Sequence, residues 1–423
     1  MIKPLISLAT VLALAAPLNA QDEPQEHPSP NQIVAEASSG DWMSIPAEDL
    51  LVMTLAPDAE GNERKVVIQL MPVPFSQGWV ENIRTLARAK WYDDISVNRV
   101  QDNYVVQWGD PNYDNPEATG EAKPLPEGLR VMGEDEYTVG IEDVNAVISD
   151  GTKRAWGTSK VTMVDALEKT LNDPRASEED KKIALMQLLT IFEFPDIEGR
   201  LEDEHIANIS IESTKTSAAP QGWHERDSFA EWVEFWNGWP LANFEIAHWE
   251  HWEDEEGNVV VESQALADPM ENSPYKVVDQ SRFWPVHCYG MVGVGRNYSP
   301  DTGSGAELYA VIGHAPRHLD RNIALVGRVI EGMEHLSSLP RGKGDLGFYA
   351  ADEVDKRAPI LTVRVASDLP AGEQPRFEYL DTESETFARY ADARANRRDP
   401  FFIVPAGGAD ICNIPVPVRR VAQ

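Results

Sequence analysis

The sequence predicts a mainly β fold: a closed antiparallel barrel with two core helices, interrupted by an α/β insertion. Three observations carry this. Short aliphatic and β-branched runs recur near both ends of the chain, each bounded by turn residues. A helical period replaces them at only a few places. Many short strands with so few helices suggest closure into a barrel.

Composition sets the outer limits. At about 150 residues per domain, a chain of 423 residues has room for two or three domains, or for one with large insertions. Hydrophobic residues make up 42% and aromatics 8%, enough to fill a core, so global disorder is excluded. The chain has 70 Asp and Glu against 37 Lys and Arg, a formal charge of −33. That balance argues against nucleic acid, whose phosphates require basic side chains, and against anionic membrane surfaces.

The N-terminus reads as an address. Met1-Ile2-Lys3 is followed by an apolar run from Pro4 to Pro17, then by Leu18-Asn19-Ala20 and the acidic Gln21-Asp22-Glu23. This is the pattern of a cleaved secretory signal over residues 1–20, and the run is short for a membrane span. The mature protein is expected to be secreted, in a periplasm or outside the cell, with no membrane insertion. In such an oxidising compartment the two cysteines, Cys288 and Cys412, are expected to pair.

The elements follow in order. Residues 21–45, rich at first in Pro, Glu and Ser, read as a flexible linker. Leu50 to Leu55 and Val66 to Leu70 form a hairpin across the turn residues 58–62. Residues 77–89 take a helical period, with Val80, Ile83, Leu86 and Ala87 on one face and Asn82, Arg84 and Arg88 off it. Short strands follow at 95–100 and 104–107, ending at the turn Gly109-Asp110-Pro111. The stretch 112–286 has another character, with Pro- and Glu-rich loops and a helix expected over 177–192 after an acidic start. Six tryptophans lie between Trp223 and Trp252, so it reads as an inserted, Trp-rich subdomain. Strands return at 291–295, 308–312, 324–329 and 360–365, with a short helix at 331–338. Thr382-Glu383-Ser384-Glu385 is a capping-box pattern opening a last helix that ends at Asp399-Pro400.

Two blocks carry a resemblance. One runs from Trp79-Val80-Glu81-Asn82-Ile83-Arg84-Thr85-Leu86 through Trp91-Tyr92-Asp93 and Asn98-Arg99-Val100 to Tyr104-Val105-Val106-Gln107-Trp108-Gly109-Asp110-Pro111. The other runs from Gly290 through Gly305-Ala306-Glu307-Leu308-Tyr309 and His318-Leu319-Asp320 to Val326-Gly327-Arg328-Val329-Ile330-Glu331-Gly332-Met333. In this order they resemble the cyclophilin-type peptidyl-prolyl cis-trans isomerases. The resemblance implies an eight-stranded barrel capped by two helices. Residues 46–111 and 287–366 would be its halves, 112–286 the insertion, and 367–423 a C-terminal extension packed on the barrel.

The resemblance also implies a site. Rotating an Xaa-Pro amide crosses a barrier of about 20 kcal/mol and needs no nucleophile, metal or cofactor. It needs an apolar seat for the proline ring and a cation near the prolyl nitrogen, whose lone pair returns as the amide twists. Arg99 matches the catalytic arginine, Gln107 the residue that holds substrate backbone, and Tyr104 the ring under the proline. Val105, Gly295, Arg296, Glu307, Tyr309, His318, Leu319 and Ile323 match substrate-binding positions. Several depart from the usual residue: Asn98 replaces a His, Glu307 a Gln, His318 a Trp or Phe, Ile323 a His or Tyr, and Arg317 is an extra residue. The implied activity is isomerisation of Xaa-Pro bonds in unfolded or newly secreted polypeptides. The alternative is a peptide-binding or chaperone module with weak catalysis.

Other patterns carry less. Asp301-Thr302-Gly303 matches an aspartic-protease triplet, but no second copy exists to share the proton, so a surface turn is expected. His248 and His251, three apart on a helix, would share a face, yet no third metal ligand is indicated. The tryptophans suit a core better than a binding platform.

Overall fold

The computed structural model describes residues 27–113, 115–149, 227–230, 232–244, 247–251, 275–279 and 281–422. The signal segment 1–20, the helix expected over 177–192, Trp223 and Trp252 lie outside them.

Helix α1 (Pro30–Ala35) and strand β1 (Trp42–Ser44) come first. Next are β2 (Leu50–Leu55), β3 (Arg64–Leu70), α2 (Gln77–Arg88), β4 (Ile95–Val100) and β5 (Val105–Gly109). The middle of the chain supplies β6 (Val139–Gly140), α3 (Ile141–Ser149), β7 (Trp232–Trp236), β8 (Trp239–Phe244), β9 (Ala247–His251), β10 (Tyr275–Asp279) and β11 (Arg282–Pro285). Then follow β12 (Met291–Val294), β13 (Leu308–Val311), β14 (Leu325–Glu331), α4 (Glu334–Ser337) and β15 (Pro359–Val365). The chain ends with β16 (Phe377–Leu380), α5 (Glu385–Ala395) and β17 (Val418–Arg420).

Eight strands close a barrel in the order β12-β13-β5-β4-β15-β2-β3-β14, with β12 pairing back to β14. Every pairing is antiparallel. Side chains alternate across each strand, so one set fills the interior and the other faces out. Met53, Val66, Val106, Trp108, Leu308 and Ala310 belong to the main core. Val105, Tyr309 and Val311, one residue out of phase, form a separate buried cluster. That alternation puts an apolar patch on the outside of the barrel, against which other segments close.

Helix α2 buries Trp79, Val80, Ile83, Leu86 and Ala87 against the barrel. Asn82 is buried too, although a polar residue was expected on the outer face. Its amide nitrogen donates to Arg130 O and Ser304 O, and its oxygen accepts from Arg130 N. A buried amide with its groups paired costs little and ties two loops to the helix.

Three other expectations are corrected. The linker over 21–45 is folded from Pro30 on. Ser29 and Gln32 form a capping box, Ile33 is buried, and β1 pairs with β16. Its apolar residues were too few for periodicity to reveal, but they dock on α5. The last helix is capped by Ser384, whose hydroxyl accepts from Phe387 N, and not by Thr382. Thr382 instead accepts from Gly238 N, in the inserted segment. His248 and His251 lie on strand β9, so the helical spacing that suggested a shared face does not apply.

Strands β6-β11-β8-β7 form a four-stranded sheet, and β9 pairs with β10. Trp236, Trp239 and Trp284 are fully buried, so these tryptophans are core. Strands β7 and β8 turn at Asn237-Gly238, both with positive φ, as a two-residue hairpin requires. This turn sits against the barrel: the buried Arg328 guanidinium stacks over Trp239 at 4.5 Å and donates to Gly238 O. Among the described residues no helix is long and apolar enough to cross a membrane.

Cys288 and Cys412 are joined in a disulfide that spans 124 residues and fastens the C-terminal segment beside β12. A cross-link of this kind restricts the unfolded chain and typically contributes about 2–4 kcal/mol. Replacing both cysteines by Ser is expected to lower stability by about that amount. Urea unfolding of the two proteins at one temperature checks it.

Candidate active site

Three adjacent strands build the site. Arg99 on β4 is opposite Gln107 on β5, and Gln107 is opposite Tyr309 on β13. A register shift between Val97 and Arg99 marks a bulge, a common device for re-aiming a side chain. Asn98 is buried there, accepting from Ser96 Oγ and donating to Gly109 O, so this departure from the family pattern holds strands together.

Arg99 is half-buried and held by three neutral acceptors. Nε donates to Leu346 O at 2.7 Å, one terminal nitrogen to Gln107 Oε1 at 3.1 Å, and the other to Gln101 Oε1 at 2.5 Å. Its carbon lies 5.7 Å from the Tyr104 ring centre and 5.5 Å from that of Phe348. Among the described residues no carboxylate pairs with it. Burial draws its pKa below the ordinary arginine value, opposed by Tyr104 and Tyr309. The group stays cationic at neutral pH, with its charge fixed in place and uncompensated. Because Gln107 Oε1 accepts from Arg99, its amide N–H groups remain for a substrate carbonyl.

Beside this pair is the separate apolar cluster. Val105, Tyr309 and Val311 are its buried members, with Tyr104, Leu319 and Ile323 packed against them. Its members give it the apolar character a proline ring needs. Gly293 makes the floor possible, because a Cβ there would fall 2.3 Å from Tyr309 Oη. Burial pushes the Tyr309 pKa well above its usual value, so the phenol keeps its proton. That hydroxyl meets His287 Nε2 at 2.9 Å.

The remaining predicted residues divide. His318 is exposed and stacks on Tyr104 at 6.3 Å, forming part of the rim. Gly295 sits beside Gln107, where an added Cβ would come within 3.3 Å of its amide nitrogen. Glu307 is buried against Gly109, with its carboxylate 1.8 Å from where a Cβ on that glycine would lie. Arg296 braces the rim instead of facing the apolar cluster: Nε and a terminal nitrogen donate to Asn322 O. Asp301 accepts from Gly303 N and Asn297 N, closing the surface turn expected there.

Sequence reasoning missed Gln101, Leu346 and Phe348 around Arg99, and His287, Arg317 and Val311 near the pocket. Val311 had a signal, two residues from Tyr309 on β13, as did Gln101, two residues from Arg99 and just past the end of β4. The others come from segments with no local periodicity.

A closed eight-stranded barrel thus carries an arginine–glutamine pair beside an external apolar cluster. In comparison with known families, the cyclophilin type peptidyl-prolyl cis-trans isomerase/CLD family matches residues 63–146 and 248–365. The match falls in two segments and breaks inside the stretch between β5 and β12. Among solved structures it is similar to the crystal structure of cyclophilin AquaCyp293 from Hirschia baltica. That likeness has 16% identity and a TM-score of 0.48, over 92% of this chain and 96% of that one. A search among curated proteins finds no match.

Proposed function

We propose that the protein is a secreted, periplasmic peptidyl-prolyl cis-trans isomerase acting on Xaa-Pro bonds of unfolded or newly exported polypeptides. One observation carries the activity: the Arg99 guanidinium, held only by neutral acceptors, stands beside an external apolar cluster. The proline ring sits on Tyr104, Val105, Tyr309 and Leu319, Gln107 holds the neighbouring carbonyl, and Arg99 faces the prolyl nitrogen. As the amide twists, that nitrogen becomes an acceptor, and the fixed cation stabilises the twisted form more than either planar one. Slow prolyl isomerisation limits the folding of many chains, which gives such an enzyme its use. The secretory reading rests on the signal pattern over 1–20.

The test is exchange NMR on a short Xaa-Pro peptide, with and without the mature protein. Cis–trans exchange faster than the uncatalysed tens of seconds is the expected result. Binding without acceleration from folded protein would sink the enzyme reading in favour of a peptide-binding module. N-terminal sequencing of the exported protein checks cleavage after Ala20, and an uncleaved cytoplasmic product would refute the secretory part.

A further inference from the structure

The pocket floor is the end of a buried chain of polar groups that reaches the inserted segment. Asp320 Oδ1 accepts from both His287 N at 3.0 Å and His287 Nδ1 at 2.9 Å. In the neutral ring this leaves Nε2 to accept the Tyr309 O–H at 2.9 Å. On its other side Asp320 Oδ2 accepts from Arg317 Nε at 2.7 Å. The far edge of the same guanidinium makes a two-pronged bond to Asp227 at 2.8 and 3.0 Å. The side chains of His287, Asp320, Arg317 and Asp227 are 1 to 4% exposed. Asp410 lies 3.8 Å from Arg317 on the solvent side.

The loop that carries this chain also carries the pocket rim. Arg317 and Asp320 point into the buried network, whereas His318 stacks on Tyr104 and Leu319 and Ile323 join the apolar cluster. Arg321, next in line, lies over the adjoining rings of Phe244 on β8 and Trp284 on β11, at 4.5 and 4.8 Å. Phe229, two residues from Asp227, lies 5.0 Å from the Arg317 guanidinium. The insertion therefore grips the rim loop from behind at two arginines, and a chain of hydrogen bonds leads from one of them to Tyr309.

We propose that Asp227, Arg317, Asp320 and His287 are positioning residues of the isomerase site, through which the inserted segment holds Tyr309 and the pocket rim; this rests on the isomerase reading above. In a buried network each group depends on the next, because losing one partner leaves its neighbour unpaired in a medium that cannot solvate it. A change at Asp227 is passed to Asp320 through Arg317 and to Tyr309 through His287. The extra arginine in the rim is thus the joint between the insertion and the barrel.

The experiment is a double-mutant cycle on the full, disulfide-bonded chain, with Asp227→Asn, Tyr309→Phe and both together. Values of kcat and KM come from exchange NMR on an Xaa-Pro peptide. The ring-nitrogen signals of His287 come from long-range nitrogen–proton NMR. Asp227→Asn is expected to lower kcat/KM about fivefold, mostly through KM. The double variant is expected to fall short of the product of the single effects by threefold or more. The His287 signals are expected to move in Asp227→Asn. Effects that multiply within twofold, or ring signals identical in wild type and Asp227→Asn, would overturn the proposal. If the wild type does not isomerise the peptide, the isomerase reading fails by itself, and the ring signals alone decide whether Asp227 positions His287.

Discussion

Replacing Arg99 by Ala is expected to lower kcat/KM by about 100- to 1,000-fold, the usual cost of removing one fixed electrostatic stabiliser of a transition state. The fold should survive. Arg99 is half-buried on the outer face of the barrel, and its three partners are a main-chain carbonyl and two glutamine amides that water can serve instead. Gln107 Oε1 loses a donor, so its amide becomes freer to rotate, which adds a loss in KM to the loss in kcat. Arg99→Lys separates charge from geometry. A lysine keeps the cation but has no planar fork to span Leu346, Gln107 and Gln101 at once, and a loss of at least tenfold is expected. Exchange NMR on one peptide across the three proteins, with circular dichroism as the folding control, makes the measurement. An alanine variant within twofold of wild type would remove Arg99 from the mechanism.

Local pattern made the barrel legible, and contact between distant segments hid the rest. The runs at 50–55, 66–70, 95–100, 291–295, 308–312 and 360–365 each alternate or cluster as strands must, and each becomes a barrel strand. Helix α2 was readable from its period, except for Asn82, whose burial depends on Arg130 and Ser304, far along the chain. The N-terminal segment failed for the same reason. Residues 30–45 have too few apolar side chains to suggest order, and their partners are β16 and α5 at the other end of the sequence. One signal was present and unread: Trp236-Asn237-Gly238-Trp239 is an Asn-Gly turn between two strand-forming runs, a strong local mark of a hairpin.

The site divides along the same line. Arg99, Tyr104, Val105, Gln107 and Tyr309 lie on two contiguous motifs and meet in space because neighbouring strands carry them. Arg296 was placed at the right edge of the site, but its bonds to Asn322 show it bracing the loop. His287 could not be identified from sequence. It lies in a loop before β12, and its role exists only because Asp320 and Tyr309, 33 and 22 residues away, close around it. Arg317, an apparent extra residue in a family alignment, proved to be a buried cation between two carboxylates.

Arg317→Leu is expected to destabilise the protein by about 3–5 kcal/mol, the cost of breaking a buried ion pair from one side. Leucine approximates the volume of the stem but leaves Asp227 and Asp320 facing each other in a site that excludes water. In the wild type, burial pushes the Asp320 pKa up, but the bonds and charges of His287 and Arg317 outweigh it and hold the pKa below the ordinary aspartate value. That depressed pKa stabilises the fold above the unfolded aspartate pKa, and the benefit is lost as pH falls below it. In the variant the sign reverses. Without the guanidinium, burial is opposed by His287 alone and the Asp320 pKa rises, so Asp320 retains a proton that the unfolded chain releases and variant stability declines as pH rises through and above the aspartate range. The gap between the two proteins should therefore be small near pH 4 and widest near pH 7, a divergence that a simple packing defect would not produce. Urea unfolding of both proteins at several pH values measures it. A gap independent of pH would show that Arg317 acts by filling space and not by neutralising its two acids.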